Sequence, residues 1–547
     1  MVALKKISLV KQAKNKLTIK RTKQLISIMK LFLLVMTIFI VITNLEMYKN
    51  LNVVNTTVST AASGGASASA NRIDWSVHKN PSDANADADT DTAVAANAAA
   101  NSDPNDESNN IHVVFSTSCS LSHDWQSYLF FFHAMLHKQK GDVTRIVSGC
   151  SKEDEITMQA IHDKQFKIMS SKFLLHFTPE FGKQLVDEGI SFQKTKYWNK
   201  PFGLKHWMVH RFGYVWNDVD DTLITVPEYD DHIIVLVDPD MLMQKPFIND
   251  FSNVPLDQWN KYYRIMGHSD ELVGKVKQGH PAAQDYSFGT KWLNPVREHL
   301  DDIVGPNSLV HDVTQDEAQY AYAAGPPYWM TARDAFRISY KWSEFLPLIF
   351  KYHPVFMAEM YGYCMASAYL GLKHQMARGM MVSNVGMTDG EGWSFLNKNN
   401  NACDVSIFKD TVPNVIHFCQ RYSIGEYFIN KYLFPTDILS CDFPLLELPS
   451  KNILHDTWYS HYGDGSIEEW SKEKDDIKRY RNAFMICSLF PAINSAAKFY
   501  KDQHCDKNDP NTIYDATYNH FRSDKGKELE QRGLQSANKK KESQQRK

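Results

Sequence analysis

The sequence lacks an excess of positive charge, and it lacks the cysteine spacing of a zinc finger. Its 60 Lys and Arg residues are balanced by 63 Asp and Glu residues, which gives a formal net charge of -3. Because binding to a nucleic-acid backbone depends on positive charge, nucleic acid is not expected as a partner. The 8 cysteines include no Cys-x-x-Cys pair and no Cys/His cluster at zinc-finger spacing, so a structural zinc site of that kind is not expected. Disulfides remain open, provided that the compartment is oxidising.

The beginning of the chain lacks acidic side chains, and this absence indicates how a membrane anchor is oriented. Lys and Arg residues precede an apolar run from Leu25 to Thr43, and the first acid is Glu46. The run is long enough to span a bilayer, since its one charge, Lys30, can extend to the headgroups. The basic flank predicts a type II signal anchor, with the rest of the chain in the lumen of the Golgi or ER. A cleaved signal peptide and a buried core helix are the alternatives.

Two further stretches carry few side chains that could pack into a core. Residues 52–110 consist largely of Ala, Ser, Asn, Asp and Thr, and they include one glycosylation acceptor at Asn55. Residues beyond Arg522 are mostly charged or polar, which is typical of a disordered tail. The predicted organisation is a basic cytosolic tail (1–24), a transmembrane helix (25–45), a luminal stem (46–110), a folded domain (111–455), a helical extension (456–522) and a disordered tail (523–547).

The folded domain is predicted to be an α/β structure. Ile111–Ser118 is an apolar run that ends in small hydroxyl residues, as a buried strand does at a ligand-binding edge. Apolar residues at helical spacing follow, with Asp124 as the expected N-cap, and a second strand is predicted from Val143 to Gly149. The order of strand, helix and strand predicts the start of an α/β sheet.

Two acids at the end of a third predicted strand are the strongest candidates for chemistry. The apolar strand HIIVLV leads into Asp238-Pro239-Asp240, so both carboxylates are expected on one side of the chain. Two hard oxygen ligands suit Mg²⁺ or Mn²⁺ bound to a diphosphate. A solvated turn is the alternative, but a buried strand that delivers two acids to the edge of a sheet is costly without a cation.

Seven short motifs occur in an order that resembles a known family. They are DWQS at Asp124–Ser127, GDVTRI, NKP at Asn199–Pro201, DPDM, EMYGY at Glu359–Tyr363, EGW at Glu391–Trp393 and IHF around His417. From about Ile111 to Leu448 the chain thereby resembles the peptidyl serine α-galactosyltransferases and, more loosely, the hydroxyproline O-arabinosyltransferases. The chain has Asp-Pro-Asp where those galactosyltransferases have Asp-Ser-Asp, so both acids are kept.

The resemblance implies a GT-A-like fold, which is a Rossmann-like mixed sheet flanked by helices. It also implies a UDP-sugar donor, a divalent cation and transfer of a sugar, with galactose or arabinose favoured. The acceptor would be a Ser or hydroxyproline hydroxyl of a secreted or cell-wall glycoprotein, and both families retain the anomeric configuration. A lectin-like glycan-binding protein of the same fold is the alternative. A glycoside hydrolase would instead need two carboxylates at a sugar cleft and no diphosphate.

The resemblance also implies a nucleotide-binding set of residues at the ends of the strands. Ser116 and Thr117 would meet the nucleotide, although ordinary hydrogen bonding at a strand end is the other interpretation. Arg145 would pair with the diphosphate or else with a surface acid. Asn199 could contact the donor or cap a helix, while Lys200 would face the donor phosphates as a point charge.

A second set of residues is expected near the metal and the sugar. His417 is the expected third metal ligand, with a core histidine as the alternative. Glu359 is the leading catalytic candidate and Asp316 the second, against a structural salt bridge and a solvated loop respectively. Tyr363 shares a helix face with Glu359 and is a further donor-site candidate.

The remaining expectations from the resemblance concern a sugar platform and a disulfide. Glu391 and Trp393 could form the platform, although a glycine-rich turn needs no such function. Cys119 and Cys150 match cysteines of the galactosyltransferases and follow two adjacent predicted strands, so they are expected to be linked.

Overall fold

A computed structural model describes most of the folded part of the chain. The described residues are 110–184, 196–251, 275–387, 391–396, 401–432, 434–455, 457–461, 467–472, 474–513 and 517–518. The predicted cytosolic tail, transmembrane helix, disordered tail and nearly all of the stem lie outside these ranges. Within them, no helix combines the length and the apolar character needed to cross a membrane.

The described residues form 18 strands and 9 α-helices. The strands are β1 Ile111–Ser118, β2 Asp142–Ser148, β3 Phe173–Thr178, β4 Val215–Asn217, β5 Thr222–Ile224, β6 Ile233–Val237, β7 Met241–Met243, β8 Ala282–Asp285, β9 Ala324–Thr331, β10 Gln375–Ala377, β11 Met381–Val382, β12 Val415–His417, β13 Arg421–Ile424, β14 Tyr427–Asn430, β15 Leu445–Leu446, β16 Tyr459–His461, β17 Ile467–Glu469 and β18 Thr517–Tyr518. The helices are α1 Leu121–Leu136, α2 Lys152–Gln165, α3 Phe181–Gln184, α4 Asn199–Phe212, α5 Leu300–Val304, α6 Gln315–Tyr320, α7 Ala332–Tyr352, α8 Ala358–Tyr369 and α9 Asp476–His504.

The main sheet is a mixed sheet of seven strands in the order β10-β8-β9-β6-β1-β2-β3. Strands β3, β2, β1 and β6 are parallel neighbours, whereas β9 runs antiparallel to β6 and β8. The α/β class predicted from the sequence is confirmed. Because β1, β2 and β6 are parallel, their carboxyl ends, where the candidate residues lie, meet at one edge of the sheet.

The main sheet is covered by helices on both faces, because alternate residues of its strands point to opposite sides. Val113 and Phe115 of β1 belong to one buried cluster, together with α1 and α9. Val114, between them, belongs to a second cluster with α4, α7 and α8. This two-sided burial explains why β6 is apolar at every position and why β1 has three consecutive apolar residues, Val113 to Phe115, rather than alternating ones.

A small three-stranded sheet places the end of one distant strand beside the end of β6. β12 pairs antiparallel with β7, so that His417 lies opposite Met241. The Phe418 N–H donates to the Asp240 carbonyl at 2.9 Å. Residues about 180 positions apart are therefore neighbours because of backbone pairing, before any side chain is considered.

Three disulfides connect loops and helices of the described structure. Cys119 and Cys150 are linked, which confirms that prediction. Cys403–Cys487 and Cys441–Cys505, which the sequence left open, both attach α9 or its end to the rest of the domain. Cys364 and Cys419 are free.

Two expectations about helices are corrected by the structure. The first helix begins at Leu121 with Ser120 in the N-cap position, so Asp124 is not the N-cap but lies in the first turn. The C-terminal helix α9 is present as predicted, but it is more than an extension. Its residues Ala483, Leu489 and Ile493 belong to the same buried cluster as α1, so no separate core begins at residue 456.

Candidate functional site

The two acids after β6 lie in a tight turn. The Met241 N–H donates to the Asp238 carbonyl at 3.2 Å, which closes the turn around Pro239 before β7 begins. The Asp240 side chain is 4% exposed and that of Asp238 is 18% exposed. The sequence analysis assumed an extended chain at these two acids, but the backbone turns here. Both carboxylates nevertheless reach the same histidine.

His417 joins the two acids in one cluster. Its Nε2 lies 3.3 Å from Asp240 Oδ1 and 3.9 Å from Asp238 Oδ2. One ligand atom from each of the three residues lies within 4.8 Å of the others. On the opposite side of the ring, Nδ1 is 3.3 Å from the Tyr286 hydroxyl.

Lys200 connects this cluster to Glu359. Lys200 lies in the first turn of α4 and Glu359 in the first turn of α8. The Lys200 Nζ is 2.7 Å from Asp238 Oδ1 and 3.2 Å from Glu359 Oε1. Helix α4 can lie this close to β2 because Gly203 has no side chain: a Cβ there would be 3.1 Å from Ile146 Cγ2. Two helix starts therefore meet at the edge of the sheet.

Burial makes the charges of this cluster strongly interdependent. Burial, and secondarily the Asp238 charge, raises the pKa of Glu359 to about 7, although Lys200 lowers it. For Asp240, burial alone would raise the pKa, but His417 and Lys431 outweigh it and hold the pKa well below its usual value. Glu359 therefore has the less stable charge of the two carboxylates.

Lys431 and Tyr286 belong to the cluster and were missed by the sequence analysis. The Lys431 ammonium pairs with Asp240 Oδ2 just after β14. Tyr286 follows β8, and Gly325 gives it room, since a Cβ at that glycine would lie 2.0 Å from its ring. A single lysine and a single tyrosine in separate loops carry no spacing signal, so only the fold brings them to His417 and Asp240.

The nucleotide-binding candidates at the end of β1 are engaged with each other. The Thr117 hydroxyl is buried, donates to the Ile146 carbonyl at 3.3 Å and accepts from Arg145 Nε at 3.0 Å. Arg145 also pairs with Asp124 at 2.8 Å, and its side chain is 3% exposed. Ser116 is partly buried beside them. In this structure Arg145 thus serves an internal ion pair at the sheet edge.

Asn199 does not cap the helix, which was one of the two roles expected from the sequence. It is the first residue of α4, and Trp198 is the N-cap. Its Nδ2 donates to Glu180 Oε1 at 2.6 Å, and its Oδ1 accepts from the Phe181 N–H at 3.0 Å. Asn199 therefore anchors the segment after β3 to the start of the helix that carries Lys200.

The structure does not bring Tyr363 to the cluster. Its ring is fully buried and stacks on Tyr328 at a centroid distance of 3.9 Å. Its hydroxyl is 2.7 Å from His374 Nε2. Although Tyr363 follows Glu359 by one helical turn, only Glu359, at the end of the helix, reaches the sheet edge. Tyr363 is a core residue.

Glu391 and Trp393 form a closed turn and not an open sugar platform. The Glu391 carboxylate accepts hydrogen bonds from the Ser383 and Asn384 N–H groups, the Ser383 hydroxyl and Trp393 Nε1. Trp393 is 4% exposed and packs against Phe484 of α9. Neither side chain offers a free face to a sugar.

Asp316 lies apart from the cluster. It is exposed in the first turn of α6, where the neighbouring Glu317 forms a capping box with Thr314. No contact described for Asp316 leads to the acidic cluster. The expectation of a second catalytic acid therefore has no geometric support, and Asp316 is a solvated helix residue.

The assembled residues fit a divalent cation. Two carboxylates and one imidazole form a donor set that suits Mn²⁺, and Mg²⁺ through the oxygens. The outer partner of His417, the Tyr286 hydroxyl, is of the kind that orients metal-binding imidazoles.

Comparison with known proteins agrees with the motifs. A peptidyl serine alpha-galactosyltransferase from Arabidopsis thaliana is 24% identical over 283 residues, which are 50% of this chain. The chain is similar to a curated galactosyltransferase. The predicted resemblance is confirmed at that level, and the match spans 28% of the relative's own length. No protein-family model matches the chain.

Solved glycosyltransferase structures were also found. The galactosyltransferase LgtC, in complex with donor and acceptor sugar analogues, has a TM-score of 0.28 and 12% identity, and the match covers 56% of this chain and 87% of that one. The bifunctional glycosyltransferase WbbM has a TM-score of 0.29 and 12% identity, with 56% and 45% covered. Both TM-scores are below 0.5, and the description of the fold rests on the order and direction of the strands.

Proposed function

We propose that this chain is a metal-dependent glycosyltransferase with a GT-A-like fold. It moves a sugar, galactose or arabinose, from a UDP-sugar to a Ser or hydroxyproline hydroxyl of a secreted or cell-wall glycoprotein, with retention. The observation that carries this proposal is the convergence of Asp238, Asp240, His417, Lys200 and Glu359 at the carboxyl edge of the parallel strands. The similarity to a peptidyl serine alpha-galactosyltransferase supports the acceptor class.

Asp238, Asp240 and His417 are the residues that would hold the cation. A bound divalent cation supplies neutralisation of the charge that develops on the departing diphosphate. His417 is kept in place by the backbone pairing of β12 with β7 and by Tyr286, so the ligand set is organised before a cation or donor arrives.

Lys200 and Lys431 supply two positive charges beside the acids. Both ammonium groups are largely shielded from solvent, with side chains 14% and 16% exposed, and both are bound to a carboxylate of the Asp-Pro-Asp turn. Lysine side chains are long and flexible, so an ammonium group can exchange a carboxylate for a nearby phosphate oxygen. We assign them to the diphosphate of the donor, in place of the buried Arg145.

Glu359 is the acid that faces the reacting groups. Within the described residues, the recorded partner of its carboxylate is Lys200, whose Nζ lies 3.2 Å from Oε1 and is shared with Asp238. Such a group can accept the acceptor hydroxyl or stabilise positive charge on the sugar. The raised pKa agrees with an acid that is kept available instead of being consumed by structural hydrogen bonds.

The type II topology belongs to the same proposal. Anchor and stem lie outside the described residues, but the three disulfides support an oxidising compartment for the folded domain. The Golgi or ER lumen provides both that redox state and the secreted acceptors.

A donor screen tests the function directly. The full-length protein, purified in detergent, is incubated with Mn²⁺, individual UDP-sugars and Ser- or hydroxyproline-containing peptides, and released UDP is measured. We expect peptide-dependent release with one sugar, and loss of that release on chelation and in Asp238→Asn. Glycan binding with no UDP release for any donor would contradict the enzyme and favour a lectin-like protein.

A further inference from the structure

A second group of metal-binding side chains lies away from the acidic cluster. It consists of His176 of β3 and His206 and His210 of α4, here called the histidine cluster. β3 is an edge strand of the main sheet, and α4 packs against it. His206 and His210 are four residues apart, so both project from the same face of the helix. Lys200 lies six residues before His206, about 9 Å along the helix axis, so the two clusters are separate.

The three rings lie close together. His176 Nε2 is 2.8 Å from His206 Nδ1, and the rings of His206 and His210 stack at a centroid distance of 3.9 Å. One ring nitrogen from each residue lies within 4.8 Å of the others. Tetrahedral zinc, with Zn–N bonds of about 2.0–2.1 Å, needs nitrogens roughly 3.3 Å apart. The 4.8 Å limit exceeds this value, so ligation requires the side chains to move closer.

The hydrogen bonds of the cluster leave lone pairs available. His210 Nδ1 lies 2.7 Å from the His206 carbonyl, so Nδ1 carries the proton and Nε2 is free to accept a cation. Between His176 and His206 a single proton is shared by two nitrogens that face each other, and a cation can replace that proton. Burial, together with the neighbouring histidines, lowers the pKa of His176 to about 4, which keeps this ring neutral.

The surroundings give the histidines no other evident partner. Among the described residues, no carboxylate lies within ion-pair distance of the three rings. His176 and His206 are half-buried, whereas His210 is exposed. The cluster is therefore open to solvent on one side, from which a cation and a water ligand can enter.

We propose that His176, His206 and His210 form a second metal site, which binds Zn²⁺ with water as the fourth ligand. Three imidazoles without a carboxylate prefer zinc and the neighbouring late transition metals over Mg²⁺ or Mn²⁺. The ion fastens the edge strand β3 to α4, the helix whose first turn carries Lys200. The site is independent of the glycosyltransferase proposal, because none of its ligands belongs to the acidic cluster.

Zinc titration of the full-length protein tests the site. The metal-free Asp238→Asn variant serves as background, since it lacks one ligand of the acidic cluster, and binding is followed by calorimetry and by the melting temperature. We expect one equivalent of bound Zn²⁺ and a higher melting temperature. His210→Gln, at an exposed position, should weaken binding at least by the roughly 10–100-fold that loss of an outer-shell partner costs. His206→Ala with His210→Ala should abolish binding.

His280→Gln is the matched control, because His280 is exposed and lies outside the cluster. This variant should bind zinc as the background does. Absence of Zn²⁺ binding, or binding that His210→Gln leaves unchanged, would overturn the proposal. Because His210 is exposed, this decision does not depend on whether the double variant folds.

Discussion

Two glutamates, the buried Glu359 and the half-buried Glu391, illustrate how the same residue type can have different partners. Glu391 accepts hydrogen bonds from two backbone N–H groups, a hydroxyl and an indole, so its charge is fully satisfied inside one turn. Glu359 has one cation, Lys200, which it shares with Asp238. An acid with four donors stabilises the fold, whereas a buried acid with one shared cation stabilises it little. We propose that the latter arrangement serves sugar transfer.

The surroundings of the two glutamates reinforce this contrast. Glu391 accepts from the indole of Trp393, whose ring packs against Phe484 of α9 and lies beneath the Arg481 guanidinium. Glu359 lies beside the acidic cluster at the sheet edge, where Lys200 can exchange a carboxylate for a phosphate oxygen of a ligand. The following predictions test this comparison, in decreasing order of their expected effect on sugar transfer.

Asp238→Asn should have the largest effect. Removal of one carboxylate from the proposed cation site should lower transfer about a hundredfold or more, because metal-based stabilisation is worth several kcal/mol and each 1.36 kcal/mol is a factor of ten. Lys200 keeps Glu359 as a partner, so the variant should stay folded. Initial rates of UDP release and the melting temperature check both statements. Full metal-stimulated activity in this variant would show that the acidic cluster is not the donor site.

Glu359→Gln should have the next largest effect. The amide keeps the shape but loses a charge-assisted hydrogen bond of about 1.5–3 kcal/mol, so transfer should fall about 10- to 100-fold. UDP binding should persist, since Lys431 and the metal ligands are unchanged. Unaltered turnover with a lower melting temperature would assign Glu359 the structural role of Glu391.

The raised pKa of Glu359 also predicts how the stability of the fold depends on pH. Its pKa is raised from 4.5 in the unfolded reference to about 7 in the fold, so the folded state holds the proton more tightly. Stability from this group is therefore present below about pH 4.5, falls as the pH rises towards about 7 and is lost above that. Thermal unfolding of metal-free protein across this range should show a shallower decline in Glu359→Gln than in the wild type. Parallel curves would contradict the raised pKa.

Tyr286→Phe should have a moderate effect, because it removes only the hydroxyl beside His417 Nδ1. Outer-shell partners of metal ligands typically contribute about 10–100-fold to metal affinity, and we expect the lower end for a 3.3 Å contact. The Mn²⁺ concentration for half-maximal transfer should rise about tenfold, with little change in the rate at saturating Mn²⁺. A lower rate at saturating Mn²⁺ with unchanged affinity would place Tyr286 at the substrate instead.

The strands and the acidic motif of the site could be predicted from the sequence, whereas the contacts between distant loops could not. The strands β1 and β6 and the Asp-Pro-Asp motif could be located because buried strands are apolar and end abruptly. The contact of Lys431 with Asp240 and that of Tyr286 with His417 could not be predicted, because Lys431 and Tyr286 lie in loops that are far apart in the sequence. The sequence also did not show that Glu359 reaches the sheet edge while Tyr363 lies in the core. Helical spacing places both residues on one face but does not show where the first turn of the helix lies.

Only part of the histidine cluster can be seen in the sequence. His206 and His210 are four residues apart in a predicted helix start, but their third partner, His176, is in a strand before it. Only the packing of α4 on β3 brings the three together. Likewise, Glu391 and Trp393 could be placed in a turn by their glycines, but its closure by hydrogen bonds depends on Ser383 and Asn384.

Glu391→Gln should have the smallest effect on transfer and the clearest effect on stability. An amide cannot accept from all four donors, so at least one N–H or hydroxyl loses its partner, at a cost of about 1–3 kcal/mol in the free energy of unfolding. Transfer per folded molecule should equal that of the wild type, because no hydrogen bond described for Glu391 reaches the acidic cluster and its partner Trp393 packs against α9. Denaturant unfolding and rates normalised to folded protein measure the two quantities separately. A lower rate with unchanged stability would restore Glu391 as a sugar-binding residue, and the contrast between the two glutamates would no longer hold.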